Sequence, residues 1–207
     1  WLLRNDGALY GFGNSGLPGL SHYQHTVNNN MGPIGHNSYG PYKLAGHSAR
    51  AIAISPNSDS YYTTLLIGTD GSLWAGGEND HGQLGNGDTT EHSGFVKIVD
   101  ANVTDVAMGY VHSLFLKSDG SLWAMGYNNE GQLGDGSTTD RHTPVQVIAS
   151  GVTAIAAGHW HSLFIKSDGT LWAMGQNNSG QLGDGGTTHR NTPVQIVPGA
   201  VTGVTAG

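Results

Sequence analysis

Two histidines occupy the same place in two nearly identical stretches, HSLFLKSDGSLWAMG (112–126) and HSLFIKSDGTLWAMG (161–175). Imidazole nitrogens are common zinc ligands, so histidines at repeating positions suggest a metal site. His112 and His161 belong to separate copies of the motif, however, and Thr63 takes the corresponding place 49 residues before His112. We therefore expect both histidines to be structural, and we expect neither a metal site nor a cofactor.

An aromatic residue follows the Asp-Gly pair in every copy, and such rings could form a platform for sugars or bases. The residues are Trp74, Trp123 and Trp172, with Tyr10 in a diverged copy near the N-terminus. A large ring at the same position of each repeat is better explained by packing between neighbouring repeats. We predict a structural role for these tryptophans and for the turn residues Asp119, Gly120, Asp168 and Gly169.

The glycine-rich GQLG stretches and the carboxylates beside them could bind phosphate or calcium. A phosphate-binding glycine loop needs a strand that leads directly into a helix, and no helix is predicted here. A calcium site needs several converging oxygen ligands, whereas Asp135 and Asp184 are single acids in their loops. We expect each to contact nearby backbone in an Asx-type turn.

Catalytic groupings are not predicted anywhere in the chain. Ser, His and Asp occur together in HSLFLKSD, but adjacent residues of a strand point to opposite faces and cannot form a triad. The acids are spread over the repeats, so paired carboxylates are not expected either. The sequence therefore predicts a protein that is not an enzyme.

These motifs belong to an internal repeat. The turns Asp70-Gly71, Asp119-Gly120 and Asp168-Gly169 are each 49 residues apart, and the neighbouring Trp, Gln and Gly positions keep this spacing. An earlier, diverged copy starts at Trp1, where WLLRNDGALYGFG aligns with LFLKSDGSLWAMG. The chain thus contains four units, which we place at about 1–60 with an insertion, 61–109, 110–158 and 159–207, in a single domain of residues 1–207.

Each unit is predicted to contain four short strands. VTDVAMG (103–109) and HSLFLKS (112–118) alternate in the manner of half-buried strands. Asp119-Gly120 is a two-residue linker typical of a type I′ hairpin, in which both residues have positive φ. LWAMG (122–126) then returns antiparallel, and PVQV (144–147) closes the unit, with its proline opening the strand. Four strands in about 49 residues are typical of one blade of an all-β propeller.

The pattern G-x-x-H-S-L-x-L-K-S-D-G-x-L-W-x-x-G-x-N-x-x-G-Q-L-G-D-G resembles the regulator-of-chromosome-condensation (RCC1-like) repeat in its bacterial form. The resemblance covers nearly the whole chain, and its GQLG element recurs as NDHGQLGNG, NNEGQLGDG and NNSGQLGDG. It implies a propeller that typically has seven blades. Four blades' worth of sequence leaves three arrangements open, namely a partial ring, a small closed ring, and a piece of a seven-bladed propeller.

Composition and charge exclude several classes of partner. The net charge is −7 with only eight Lys and Arg, which argues against nucleic acid and against anionic membrane surfaces. No apolar run is long enough for membrane insertion, and the absence of Cys excludes disulfides and thiolate metal sites. Because charged residues are scarce and Asn and Thr are frequent, we expect an exported bacterial protein, extracellular or at the cell surface.

The first unit departs from the repeat in two loops, 17–42 and 55–64, which are rich in Tyr, His and Asn. Such surfaces suit contacts with proteins, whereas terminal repeats are also atypical simply because they cap an array. Two of the histidines, at 22 and 25, have the spacing of a metal pair but lack an identifiable third ligand. The candidate partner-binding residues are His22, Tyr23, His25, Asn29, His36, Tyr39, Tyr42, Tyr61 and Tyr62.

Three functions follow as expectations. The first is a non-enzymatic binding module or scaffold that holds a protein partner, such as an enzyme it inhibits, through the first-unit loops. The second is a self-assembling structural subunit of an extracellular oligomer or filament. The third, which the resemblance to the eukaryotic branch of the family suggests, is guanine-nucleotide exchange on a small GTPase.

Overall fold

The computed structural model describes residues 2–3, 8–11, 42–56 and 62–207, with side chains at 48–56 and 62–207. This part of the chain consists of strands and turns, and it contains no helix that could cross a membrane. Of the candidate partner-binding residues, Tyr62 is described fully and Tyr42 only in its backbone. The remaining ones lie outside the described residues: His22, Tyr23, His25, Asn29, His36, Tyr39 and Tyr61.

The strands form three antiparallel sheets in which neighbours along the chain are neighbours in space. The first sheet has six strands and each of the other two has four. The first contains β1 (Leu2–Leu3), β2 (Ala8–Gly11), β3 (Tyr42–Ile54), β4 (Thr63–Gly68), β5 (Leu73–Gly77) and β6 (His92–Val99). The second contains β7 (Val103–Met108), β8 (His112–Lys117), β9 (Leu122–Gly126) and β10 (Arg141–Ile148). The third contains β11 (Val152–Ala157), β12 (His161–Lys166), β13 (Leu171–Gly175) and β14 (Arg190–Val197).

The middle sheet is buried on both faces, and the alternation of its side chains shows why. In β8, Phe115 points into a core cluster shared with the first sheet, which includes Leu65 and Leu84. Its neighbour Leu114 points the other way, into a cluster shared with Phe164 of the third sheet. Full burial of each such side chain contributes about 1.5–3 kcal/mol. The sheets are therefore stacked face to face, as the blades of a propeller are.

One strand of each sheet lies closest to the neighbouring sheets. β7 contacts β3 and β4 of the first sheet, and β11 contacts β7 and β8 of the second. The strands β3, β7 and β11 are thus the innermost, while β10 and β14 form outer edges. Each four-stranded sheet combines the last strand of one sequence unit with three strands of the next, because the sheets begin at Val103 and Val152.

The predicted type I′ turn is wrong. Gly120 has a φ of 77°, but Asp119 is not among the residues with positive φ. The Gly120 N–H donates to the Lys117 carbonyl (2.9 Å) and the Lys117 N–H donates to the Ser121 carbonyl (3.0 Å). This is a three-residue hairpin loop, a type I turn followed by a glycine in a bulge. Asp is used because its Oδ1 accepts the Ser121 N–H at 2.9 Å, which stabilises the turn.

The prediction that proline opens the outer strand is also wrong. β10 begins three residues before Pro144, at Arg141. The pairing with β9 shifts register between Arg141 and Val145. Pro144 therefore lies at an irregularity of an edge strand, where its missing N–H removes no ladder bond.

Candidate functional site

The two ends of each sheet carry different connections. His112 and Arg141 both pair with Gly126, so the short β7–β8 connection and the long β9–β10 loop lie at one end. The hairpin turns and the links between sheets lie at the other end. We call the first end the loop face, formed by residues 78–91, 109–111, 127–140, 158–160 and 176–189. We call the second end the turn face, formed by residues 69–72, 100–102, 118–121, 149–151, 167–170 and 198–200.

A fully buried asparagine organises each long loop. The Asn128 Oδ1 accepts the Leu133 N–H at 3.0 Å, and its Nδ2 donates to the carbonyls of Ser137 and Thr139 at 3.2 and 3.1 Å. Asn79 and Asn177 make the corresponding bonds in the other two loops. Because one side chain satisfies several backbone groups, each loop has a defined shape.

A carboxylate and an arginine close the same loop. Asp135 accepts the Ser137 N–H at 2.9 Å in an Asx-type turn, as expected, and its Oδ2 accepts Arg141 Nε at 2.6 Å. Burial raises the pKa of Asp135, but the hydrogen bonds from Ser137 and Arg141 outweigh burial and lower it overall. Asp184 and Arg190 repeat the arrangement. Within the described ranges, no three His, Asp or Glu side chains are grouped so that they could hold a metal ion.

The long loops join one sheet to the next. Leu133 is buried in the same cluster as Met174, and a Cβ on Gly134 would lie only 2.3 Å from the Met174 sulfur. The Gly136 N–H donates to the Asn191 carbonyl of β14 at 2.8 Å. The GQLG motif is therefore a contact between sheets, which explains why glycine and leucine are needed there.

Within the described residues, two contacts between a histidine and a carboxylate join successive loops with the two residue types in opposite order. His81 Nδ1 lies 3.1 Å from Asp140 Oδ2, and His189 Nδ1 lies 2.5 Å from Glu130 Oε2. His81 and Glu130 occupy the same repeat position, as do Asp140 and His189. The histidine and the carboxylate thus exchange repeat positions between the two contacts. Each loop is therefore complementary to the particular loop that it contacts.

The candidate residue His112 is fully buried between the second and third sheets. Its Nε2 lies 2.9 Å from Ser162 Oγ, and the Ser162 hydroxyl donates to the Gln132 carbonyl at 2.8 Å. Nε2 must therefore carry the proton that it donates to Ser162. Burial, with a smaller contribution from His161, lowers the pKa of His112 to about 3. The imidazole is neutral at pH 7 and solvent does not reach it. His161, half-buried, also has a lowered pKa because of burial.

The repeated tryptophans lie beside the turn face. Trp123 Nε1 donates to Ser121 Oγ at 2.9 Å, its ring stacks on Phe115 with centroids 6.0 Å apart, and Lys117 Nζ lies 4.5 Å above it. Trp123 also packs against the cluster shared by the first two sheets. Trp172 has the same surroundings in the third sheet, and Trp74 has the same Nε1 bond in the first.

Sequence reasoning did not single out an aromatic cluster on the loop face. Tyr110 stacks on His159 (4.7 Å between ring centroids) and lies 5.1 Å from Trp160. Trp160 also lies 5.2 Å from Tyr127, which meets the edge of His81 at 4.8 Å. His159 is exposed and the other four are partly exposed. We call these five residues the aromatic cluster.

A signal for this cluster was present in the sequence. The two residues before the H-S or T-T pair are Tyr61-Tyr62, Tyr110-Val111 and His159-Trp160 in successive repeats. The position is aromatic-rich without a fixed residue type, which is typical of a surface that varies while its framework does not. The structure brings two of these pairs together, since the Tyr110 N–H donates to the His159 carbonyl at 3.2 Å.

Comparisons with known proteins identify the repeat. The family model for the regulator of chromosome condensation (RCC1) repeat matches residues 70–116, 119–165 and 168–207. A second model with the same description matches 103–132 and 152–181. Human protein RCC2 is 42% identical over 59 residues, which is 27% of this chain and 11% of RCC2. The zebrafish RCC2 homolog is 38% identical over 56 residues, again 27% of this chain and 11% of the relative.

The fold is similar to solved propellers of the family. Yeast RCC1 (Prp20), solved bound to Kap60, superposes with a TM-score of 0.73 at 20% identity, over 92% of this chain and 44% of Prp20. A second Prp20 structure from Saccharomyces cerevisiae gives 0.71 at 19% identity, over 90% of this chain and 45% of Prp20. The chain thus spans about a tenth of the RCC2 relatives and less than half of Prp20. With the repeat model matched over most of its length, this all-β chain is a β-propeller protein that belongs to the RCC1 repeat family.

Proposed function

We propose that this chain is a non-enzymatic scaffold that binds a protein partner through its loop face. The observation that carries the proposal is that buried framework residues and partly exposed aromatic residues occupy separate places in the molecule. Buried residues such as Asn128 and His112 fix the framework, while half-exposed aromatic residues collect on the loop face. Binding surfaces commonly consist of variable side chains held on a rigid scaffold.

The second of the two loops predicted to bind the partner begins and ends beside this face. Ile54, the last residue of β3, pairs with Thr64, and Thr63, at the start of β4, pairs with Gly77. The described residues 55, 56 and 62 therefore lie at the end of the sheets that carries the long loops. Tyr62, partly buried, has its backbone carbonyl bonded to the Glu78 N–H at 3.2 Å.

Relatives of the family support a protein partner in general terms. Prp20 has been solved with Kap60, and its binding to Gsp1p and histones has been described. Those partners belong to Prp20, and a likeness at 20% identity shows the fold alone. Nucleotide exchange on a small GTPase is therefore not favoured over partner binding for this chain. That the protein is bacterial, exported and extracellular remains part of the proposal, and it rests on composition.

The test is capture of a partner by the immobilised chain, followed by mass spectrometry. The chain with Tyr23, Tyr39, Tyr61 and Tyr62 all changed to Ser is compared with the unchanged chain and with Asp100→Ser on the turn face. We expect one protein to be enriched by the unchanged chain and by the control, and lost from the tyrosine variant. Equal recovery by all three would contradict contact through the first-unit loops.

Self-association is a second candidate, favoured by one observation on the third sheet. Leu114 and Leu122 are fully buried against the third sheet, whereas the corresponding Leu163 and Leu171 are partly exposed. A second copy could cover them. Light scattering over a range of concentrations tests this: a stable oligomer or filament supports self-assembly, and a monomer at all concentrations contradicts it.

A further inference from the structure

We propose that the aromatic cluster of the loop face binds a basic, Lys- and Arg-rich polypeptide segment. This inference deepens the proposed scaffold function and rests on it. It assigns the chemistry of the partner from two features of the described residues: the rings and the charge of the loops around them.

The rings are arranged as a continuous surface across two sheets. Tyr110 and Tyr127 belong to the second sheet, and His159 and Trp160 to the third, with Trp160 in contact with both tyrosines. The residues of the cluster are exposed or only partly buried, so part of their surface remains available to a partner. Tyr and Trp bury a large area on binding and lose little conformational entropy, which makes such a group suitable as a docking surface.

The loop-face segments around the rings carry mostly negative charge. None of the eight Lys and Arg residues of the chain lies in the loop-face segments, whereas eight of its 15 acids do. These are Glu78, Asp80, Asp88, Glu91, Glu130, Asp135, Asp140 and Asp184. Arg141 and Arg190, the first residues of their strands, neutralise two of them.

The turn face has half as many acids, namely Asp70, Asp100, Asp119 and Asp168, and its segments likewise contain no Lys or Arg. Lys117 and Lys166 stand beside these acids and lie over the repeated tryptophans. An acidic surface attracts cationic segments and repels anionic ones, and it accelerates their association at low salt. The loop face is therefore the end of the molecule that a basic partner would approach.

Aromatic rings and acids together favour a cationic side chain over an apolar one. An ammonium or guanidinium group above a Tyr or Trp face is stabilised by the quadrupole of the ring. Arg can also pair with a carboxylate through two hydrogen bonds. The chain already contains this chemistry internally, because Lys166 Nζ lies 4.3 Å above the Trp172 ring. On the loop face the rings and acids are present, and the partner would supply the cation.

The probe is a fluorescein-labelled 12-residue peptide of alternating Lys or Arg and Ser, measured by fluorescence anisotropy against the full chain. Peptides with Glu or Gln in place of the basic residues, and a neutral oligosaccharide, serve as comparison ligands. The aromatic variant is Trp160→Val, which installs the residue that the preceding repeat has at this position, Val111. The charge variants are Asp80→Lys on the loop face and Asp100→Lys on the turn face, which are matched in kind and exposure.

We expect the basic peptide to bind and the Glu peptide not to bind, with an affinity that falls as salt rises. Trp160→Val should weaken binding about tenfold or more, Asp80→Lys should weaken it, and Asp100→Lys should leave it nearly unchanged. A second aromatic variant, Tyr110→His, which copies His159, should weaken it as well. Thermal unfolding of each variant shows that the fold is kept.

Three results would overturn the inference. One is the absence of binding by the basic peptide at low salt. Another is binding of the basic peptide that does not change in Trp160→Val and that Asp80→Lys and Asp100→Lys weaken to the same extent. Such a result would indicate general attraction to an acidic protein. The third is binding of the oligosaccharide in preference to the basic peptide. Partner capture through the first-unit loops could persist in all three cases, so failure here is distinguishable from failure of the scaffold function.

Discussion

His112 Nε2 of the second sheet lies 2.9 Å from Ser162 Oγ of the third, and the two residues join the sheets through a fully buried hydrogen bond. The Ser162 hydroxyl donates onward to the Gln132 carbonyl in a long loop. These two hydrogen bonds thus connect two sheets and a loop. Because His112 is fully buried and neutral, it has consequences for the stability of the chain.

The stability of the chain should fall as pH drops from about 6.5 towards 3. The folded state holds His112 neutral with a pKa of about 3, whereas the unfolded state takes up a proton near 6.5. Stability is therefore full above 6.5 and is lost by about 1.4 kcal/mol per pH unit below it. Urea unfolding at several pH values between 4.5 and 7 measures this slope.

The control for the histidine is His112→Thr, which copies Thr63 at the corresponding position. The variant should be less stable at pH 7, by about 1–3 kcal/mol, because Ser162 loses a buried partner. Its stability should also change less between pH 6.5 and 4.5. If the slope of the variant equals that of the unchanged chain, another group is responsible for the acid sensitivity.

Gly120→Ala should destabilise the chain more than Gly185→Ala. Both glycines have positive φ, 77° and 80°, so both substitutions incur about 1–2 kcal/mol of backbone strain. A Cβ on Gly120 would also lie 2.6 Å from the Gly151 nitrogen, whereas one on Gly185 meets nothing within 4 Å. Thermal or urea unfolding measures the difference. Equal losses would show that close approach of the 149–151 link does not matter.

Asp135 and Arg141 should be strongly coupled. Asp135→Asn alone should cost about 1–3 kcal/mol, because it leaves the half-buried guanidinium without its carboxylate. The double variant Asp135→Asn with Arg141→His copies Asn86 and His92 of the first loop, where the side chains are 2.8 Å apart. We expect it to be more stable than the sum of the single changes by about 0.5–3 kcal/mol in a double-mutant cycle of urea unfolding. Additive losses would contradict the coupling.

The repeat itself determined most of the fold. A spacing of 49 residues, alternating strands and glycine at fixed positions predicted an all-β propeller, and the sheets and the family match confirm it. Three strands of the second sheet, β7, β8 and β9, lie where the pattern placed them to within a residue, because hydrophobic alternation is a local property of the chain. Glycine at position 120 likewise predicted a tight turn.

The turn type and the start of the outer strand were not determined by local pattern. An Asp-Gly pair suits two kinds of hairpin, and the register between Lys117 and Ser121 selects the type I turn with a bulge. Pro144 is compatible with a strand start or with an edge bulge, and pairing of Arg141 with Gly126 extends the strand past it. Both outcomes depend on hydrogen bonds between strands, which the residue types alone leave open.

The sequence by itself determined that the chain forms blades, the positions of the turns between their strands and the identity of the repeated framework residues, since each of these depends on a few consecutive residues. Only the tertiary structure decided what lies between the blades. It placed Ser162 against His112, Asp140 against His81 and Trp160 against two tyrosines, all pairs that are more than 30 residues apart in sequence. Contacts of this kind depend on how the sheets are stacked, because the stacking angle and the partner strand are properties of the assembled faces.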